Sequence, residues 1–170
     1  MPPTTPSVFK RRDAMNAYDF SFRKIDGGTL ALADWRGKPV LVVNTASECG
    51  YTPQYAGLEK LWQRYRDRGF ILLGVPSNDF GAQEPGSEAE IQQFCTRNFG
   101  VDFPLAAKEP VTGAKAHPFY RWVAEEKGAP RWNFHKYLIA PDGTIAGAWP
   151  TRVAPEDTAI TSAIDEALKR

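Results

Sequence analysis

The sequence predicts an α/β domain in which helices flank a mixed central sheet, with a β-hairpin at the N-terminal end. Three observations predict it. The run Pro39-Val40-Leu41-Val42-Val43-Asn44 is apolar without alternation, as expected of a strand buried on both faces of a parallel sheet. A second such run, Phe70-Ile71-Leu72-Leu73-Gly74-Val75, follows a stretch of helical periodicity. Strand, helix and strand at this spacing make a βαβ unit, whose strands run parallel with a right-handed crossover.

Taken in order, residues 1–15 are rich in Pro and Thr and then basic. They read as a flexible N-terminal arm with a short helical turn, and residues 16–170 read as one domain. Tyr18-Asp19-Phe20-Ser21-Phe22 alternates around its two phenylalanines, Asp26-Gly27-Gly28 supplies turn residues, and Thr29-Leu30-Ala31-Leu32 completes a hairpin. The first central strand spans 39–45. A helix over about 54–68 carries Leu58, Leu61, Trp62 and Tyr65 on one stripe and ends at Gly69. The strand 70–75 leads into the loop Asn78–Gly86. Ser87-Glu88-Ala89-Glu90 has capping-box form and opens a helix to about Phe99, with Ile91, Phe94 and Cys95 on one side. A helix over 116–126 follows, then strands at 135–140 and 144–149 joined at Pro141-Asp142-Gly143. The last helix begins near Pro155 and buries Ile160, Ile164 and Leu168. This order of elements is a thioredoxin-like arrangement.

Composition narrows the function. The formal net charge is +1, which argues against nucleic acid as a partner. No apolar stretch approaches the roughly 18 residues of a membrane span. The N-terminal residues lack the apolar core of a signal peptide. Two cysteines, Cys49 and Cys95, do not make a secreted disulfide framework, so a cytoplasmic setting is expected. Neither they nor His117 and His135 show the paired spacing of a metal site, and no cofactor is expected. There is no Gly-rich phosphate loop of standard form, and neither histidine carries a hydrolase signature.

Ligand sites in open α/β sheets lie beyond the carboxyl ends of the parallel strands. Cys49 lies beyond the first strand and the 78–86 loop beyond the second, so topology alone brings these segments together. A thiol ahead of a helix N-terminus meets unsatisfied N–H groups that favour thiolate, the nucleophilic form; Glu48 beside it works in the opposite direction. Cys95 reads either as a core residue of its helix or as a second redox thiol. A disulfide to Cys49 requires Cα atoms within about 7 Å, so the helix would have to unwind locally. Trp132, Asn133 and Gln83 offer neutral N–H donors. Each taken alone is more often structural than catalytic.

Three segments, Asn44-Thr45-Ala46-Ser47-Glu48-Cys49-Gly50, Phe80-Gly81-Ala82-Gln83-Glu84-Pro85-Gly86 and Trp132-Asn133-Phe134-His135-Lys136-Tyr137-Leu138, resemble the three signature blocks of the glutathione peroxidase family, in the right order. The resemblance runs from about Tyr18 to the C-terminus. It implies that Cys49 is the peroxidatic residue and that Gln83, Trp132 and Asn133 complete a catalytic tetrad. Phe94-Cys95-Thr96-Arg97, with Phe103-Pro104, resembles the segment that carries the resolving cysteine in the two-cysteine subgroup, whose members are typically reduced by thioredoxin rather than glutathione. The short stretch from Phe119 to Trp132 is similar to the branch without an oligomerisation loop. Members of that branch are often monomeric, can be dimeric and can accept bulky lipid hydroperoxides, so a monomer or weak dimer is expected here. Two positions depart from the pattern. Asp79 replaces the usual Gln, setting a carboxylate near the site unless it points away, and Ser77 stands where many members carry a third cysteine.

The resemblance therefore implies a thiol peroxidase that reduces hydrogen peroxide and organic hydroperoxides through a Cys49 sulfenic acid and a Cys49–Cys95 disulfide, with an external thiol as reductant. Two other functions use the same residues. One is a redox relay that passes the oxidation to a protein partner. The other is a one-cysteine, glutathione-dependent peroxidase in which Cys95 is only core.

Overall fold

The computed structural model describes residues 15–170; the expected N-terminal arm lies almost wholly outside them. A two-stranded antiparallel hairpin comes first, β1 (Ser21–Arg23) and β2 (Thr29–Ala31). The central sheet has four strands: β3 (Val40–Thr45), β4 (Ile71–Pro76), β5 (Lys136–Ile139) and β6 (Ile145–Trp149). Their order is β4-β3-β5-β6, with β3 and β4 parallel and the other pairs antiparallel. The helices are α1 (Gln54–Tyr65), α2 (Glu88–Phe99), α3 (Pro118–Lys127) and α4 (Thr158–Leu168). This is the thioredoxin-like fold expected from the order of elements.

β3 is buried at every position, and its side chains alternate between two cores. Leu41 and Val43 pack with Leu58, Leu61 and Trp62 of α1, Ile91 and Cys95 of α2, and Ile160 and Ile164 of α4. Val40 and Val42 face the opposite way, toward Phe22 of the hairpin and Phe119, Tyr120 and Val123 of α3. Fully burying one such aliphatic side chain contributes about 2 kcal/mol, so a strand sandwiched between two layers carries no polar position until Asn44.

The ends of the elements follow local chemistry. Gly69 (φ 90°) and Gly100 (φ 61°) close their helical segments in the left-handed region. Ser87 caps α2, its hydroxyl accepting from Glu90 N–H while the Glu90 carboxylate accepts from Ser87 N–H. Several boundaries differ from the sequence expectation, among them that of α1, which ends at Tyr65 and continues as a 3₁₀ turn over Arg66–Arg68. Tyr18 belongs to a 3₁₀ turn over Ala17–Asp19, capped by Asn16, and not to the hairpin. His117 caps α3, so that helix starts two residues later than expected. α4 starts after Asp157, whose carboxylate accepts from Ala159 N–H; Pro155 is spent in the preceding turn.

The stretch after α2 also has a role that the sequence pattern did not reveal. Leu105 bridges Gly74 in parallel and Ala106 bridges Lys24 in antiparallel fashion. The segment thereby joins the hairpin to the edge of β4. It passes so close that a Cβ on Gly74 would lie 2.8 Å from Leu105 Cδ2. No helix among the described residues is long and apolar enough to cross a membrane.

Candidate active site

β3 and β4 end side by side, with Thr45 opposite Pro76. Beyond β3 the chain turns through Ala46–Pro53 before α1 begins. Cys49 lies in this turn, 8% exposed. Its carbonyl accepts from Thr52 N–H, and its own N–H donates to Thr52 Oγ1 at 2.9 Å. The Thr52 hydroxyl in turn donates to Ala46 O. Cys49 Sγ accepts from the backbone N–H of Tyr51 at 3.3 Å. The sulfur thus sits where the chain begins to wind toward α1, with a main-chain donor aimed at it, as the strand-to-helix position implies.

Two further segments converge on this turn. Glu48 N–H donates to Gln83 O at 3.0 Å, tying the Cys49 turn to the loop beyond β4. Asn133 Nδ2 donates to Gln83 Oε1 at 3.1 Å, tying that loop to the segment before β5. Trp132 packs against Phe80 with ring centroids 5.7 Å apart, and its ring crosses over Gly81, where a Cβ would meet it at 3.2 Å. Gln83, Trp132 and Asn133, distant in sequence, therefore form one connected group next to the Cys49 turn.

The backbone is strained on both sides of the Gln83–Asn133 contact. Ala82 (φ 51°) and Phe134 (φ 64°) are the non-glycine residues in the left-handed region among those described, a conformation that costs roughly 1–2 kcal/mol at such residues. Each immediately adjoins one partner of the hydrogen bond. Strain of this kind persists where the surroundings over-determine the geometry.

Asn44, at the end of a strand that is otherwise apolar, supplies part of that determination. Its Nδ2 donates to Trp132 O at 3.0 Å, its Oδ1 accepts from His135 N–H at 3.1 Å, and its carbonyl accepts from Phe134 N–H at 2.6 Å. Lys136 supplies more. It is fully buried, and its Nζ meets Gln54 Oε1 at 2.7 Å, Val153 O at 2.6 Å and Thr151 O at 3.2 Å. Burial pushes its ammonium down, to about 7, but three acceptors match the three N–H bonds that only the charged form carries. Thr151 Oγ1 donates onward to Asn133 O at 2.6 Å. The lysine thus links the first turn of α1 to the backbone of Asn133.

The Asp79 carboxylate points away: it accepts from Val111 N–H, Thr112 N–H and the Thr112 hydroxyl, pinning its loop to the segment before α3. His117 Nδ1 accepts from Phe119 N–H and Nε2 donates to Ser21 O, while its ring stacks on Phe22 at 4.0 Å. It is a helix cap, and burial lowers its pKa. The His135 ring lies against Tyr137, and burial lowers it to about 4. Neither histidine is placed as a base for a thiol.

Cys95 is fully buried in α2 and unpaired. Burial is the main cause that pushes its thiol up to about 11; the nearby Glu84 charge adds to this and Tyr55 opposes it. Glu84 is itself 1% exposed, and burial raises it to about 7, against the lowering effects of Ser47 and Lys108. Glu84 was not singled out by the sequence, where it reads as one acidic residue in a polar loop.

Comparison with known proteins agrees with this geometry. Residues 17–124 match the family model described as glutathione peroxidase. The chain is 48% identical over 144 residues to a glutathione peroxidase-like peroxiredoxin, gpx1, of Schizosaccharomyces pombe, covering 82% of this chain and 91% of that one. It is 42% identical over 153 residues to the hydroperoxy fatty acid reductase gpx1 of Synechocystis, covering 84% and 90%. Among solved structures, the apo form of Trgpx superposes with a TM-score of 0.76 at 36% identity, covering 92% of this chain and 97% of that one. The family model covers more than half of this chain and these relatives cover 82–84% of it, and the chain belongs to the glutathione peroxidase family.

Proposed function

We propose that Cys49 is the thiolate with which this peroxidase attacks hydroperoxides, and that Gln83, Trp132 and Asn133 are the donors that assist it. The observation that carries the proposal is the joining of three separate segments around one thiol, through Glu48 N–H to Gln83 O and Asn133 Nδ2 to Gln83 Oε1. The thiolate sulfur attacks one peroxide oxygen, the O–O bond breaks, and the leaving alkoxide takes a proton to become an alcohol. The sulfur, oxidised by two electrons, becomes a sulfenic acid. Neutral N–H donors stabilise the developing oxyanion without placing a fixed cation in the site, and one well-aimed donor is worth about 3 kcal/mol in such a transition state.

Cys95 then displaces the sulfenic oxygen as water and forms the Cys49–Cys95 disulfide. An external dithiol of the thioredoxin kind reduces that disulfide by exchange, so the cycle uses no bound cofactor. The relative named a hydroperoxy fatty acid reductase favours organic hydroperoxides among the substrates. A cytoplasmic setting fits thiols that must return to the reduced form, and a monomer or weak dimer fits the short connection between α3 and β5.

The test is mass spectrometry after one equivalent of peroxide. Wild type should lose two hydrogens, Cys95→Ser should gain oxygen, and Cys49→Ser should lose turnover. Full turnover in Cys49→Ser, or full thioredoxin-dependent turnover in Cys95→Ser, would overturn the corresponding assignment.

A further inference from the structure

A cavity of about 390 Å³ lies between the two cysteine-bearing segments. Ser47 and Glu48 of the Cys49 turn line one side, Glu90, Ile91 and Phe94 of α2 line another, and Glu84 belongs to the loop that completes it. Glu84 is almost completely buried, yet neither its Oε2 nor the neighbouring Ser47 hydroxyl makes a hydrogen bond of ordinary geometry, although Ser47 lies close enough to lower the carboxyl pKa. Its backbone is nevertheless fixed: Glu84 N–H donates to Asn78 Oδ1 at 2.8 Å, and its carbonyl accepts from Lys108 Nζ at 3.0 Å. A buried carboxylate oxygen without a well-formed hydrogen bond, on a fixed loop facing a cavity, is a costly arrangement for packing alone.

Every element around this carboxylate brings an ionisable group. α1 brings Tyr55, whose buried hydroxyl has no conventional hydrogen bond and lies beside Cys95. α2 brings Cys95, close enough to feel the Glu84 charge, and Glu90 at the cavity wall. The Cys49 turn brings Glu48, and the segment after α2 brings Lys108.

We propose that Glu84 is the proton acceptor for the resolving thiol. The inference rests on the assignment of Cys95 under the proposed function. As α2 opens into the cavity, Cys95 sulfur attacks Cys49 sulfur and the S–S bond forms as the Cys49 S–O bond breaks. The thiol proton passes to the Glu84 carboxylate, and the same proton is then returned to the departing hydroxide, which leaves as water. Cys49 is reduced and Cys95 oxidised in the same step, so no outside oxidant is needed. In the resting helix the thiol is much the weaker acid, so the proton moves only as the S–S bond forms. Glu84 accepts only in its ionised form, and burial raises it to about 7. The rate of disulfide formation should therefore rise with pH through neutrality and then level off.

The experiment is a rapid-mix, acid-quench single turnover with one equivalent of hydrogen peroxide, following by mass the conversion of the sulfenic species to the disulfide across neutrality. Wild type should show the rise and plateau. Glu84→Gln should slow the conversion roughly tenfold or more at neutral pH and replace the plateau with a rate that keeps rising into alkaline pH. Glu84→Asp should recover part of the rate and the plateau. An unchanged rate and profile in Glu84→Gln overturns the proposal, as does a slower rate that keeps the wild-type profile, since that marks a merely structural role. A flat wild-type profile overturns it without any variant. If wild type forms no disulfide at all, it is the assignment of Cys95 that fails.

Discussion

Lys136 and His135 are adjacent in sequence and opposite in their hydrogen bonding. Lys136 Nζ meets three oxygens from two segments, whereas both ring nitrogens of His135 are buried without a protein partner. Replacing Lys136 by Met keeps the volume and removes the donor. Val153 O and Gln54 Oε1 then lose their donor, while Thr151 O keeps only Gln54 Nε2, and the cost should be about 3 kcal/mol. For a chain of this size that lowers the melting temperature by about 10 °C, measurable by calorimetry. The sequence did not predict this clamp. Lys136 is one basic residue in a segment whose Trp and Asn draw the attention, and its acceptors are mostly main-chain oxygens that no side-chain pattern encodes. Asn44 was more legible, because an amide closing a purely apolar strand has to find partners. Gln83, Trp132 and Asn133 were legible only as a set with Cys49; the left-handed backbone at Ala82 and Phe134, which positions two of them, occurs at residues that give no hint of it.

α2 holds Cys95 in the hydrophobic core, and its N-terminal cap is a handle on how firmly. Ser87→Ala removes one half of the capping box, at a cost of about 1 kcal/mol. If the helix opens from its capped end, amide exchange through α2 should quicken about fivefold while α1 is unaffected. Hydrogen exchange read by mass spectrometry checks this, and unchanged α2 exchange would mean that opening starts elsewhere. The capping box, the apolar stripe of α1 and the βαβ crossover were all readable, because each is written in neighbouring residues. The bridge from Leu105 to Gly74 and from Ala106 to Lys24 was not. Those pairings join residues far apart in the chain, within a segment too short and irregular to announce a strand.

At the scale of the whole molecule, the burial of His135 couples stability to acid. The His135 imidazole, ordinarily near 6.5, is lowered to about 4 by burial first and by the charges of Lys136 and Arg131 second. Between those values the unfolded chain binds a proton that the folded chain refuses, so stability falls as pH falls through that window. His135→Phe should flatten this slope in chemical denaturation at a series of pH values. Because no protein hydrogen bond is lost, it should also leave neutral-pH stability equal or raised by about 1 kcal/mol. A slope as steep as that of wild type would assign the acid sensitivity to other groups. The layered architecture itself was evident from the unalternating strands, since residues that must be apolar on both sides leave only one arrangement of helices. The clamp at Lys136 has one more consequence at this scale. An amine sealed between β5, α1 and the loop after β6 cannot meet an acylating reagent until those parts separate, whereas exposed lysines such as Lys169 react at once. The extent of Lys136 acylation over time is therefore a chemical clock for global opening, built into the protein and readable at one peptide.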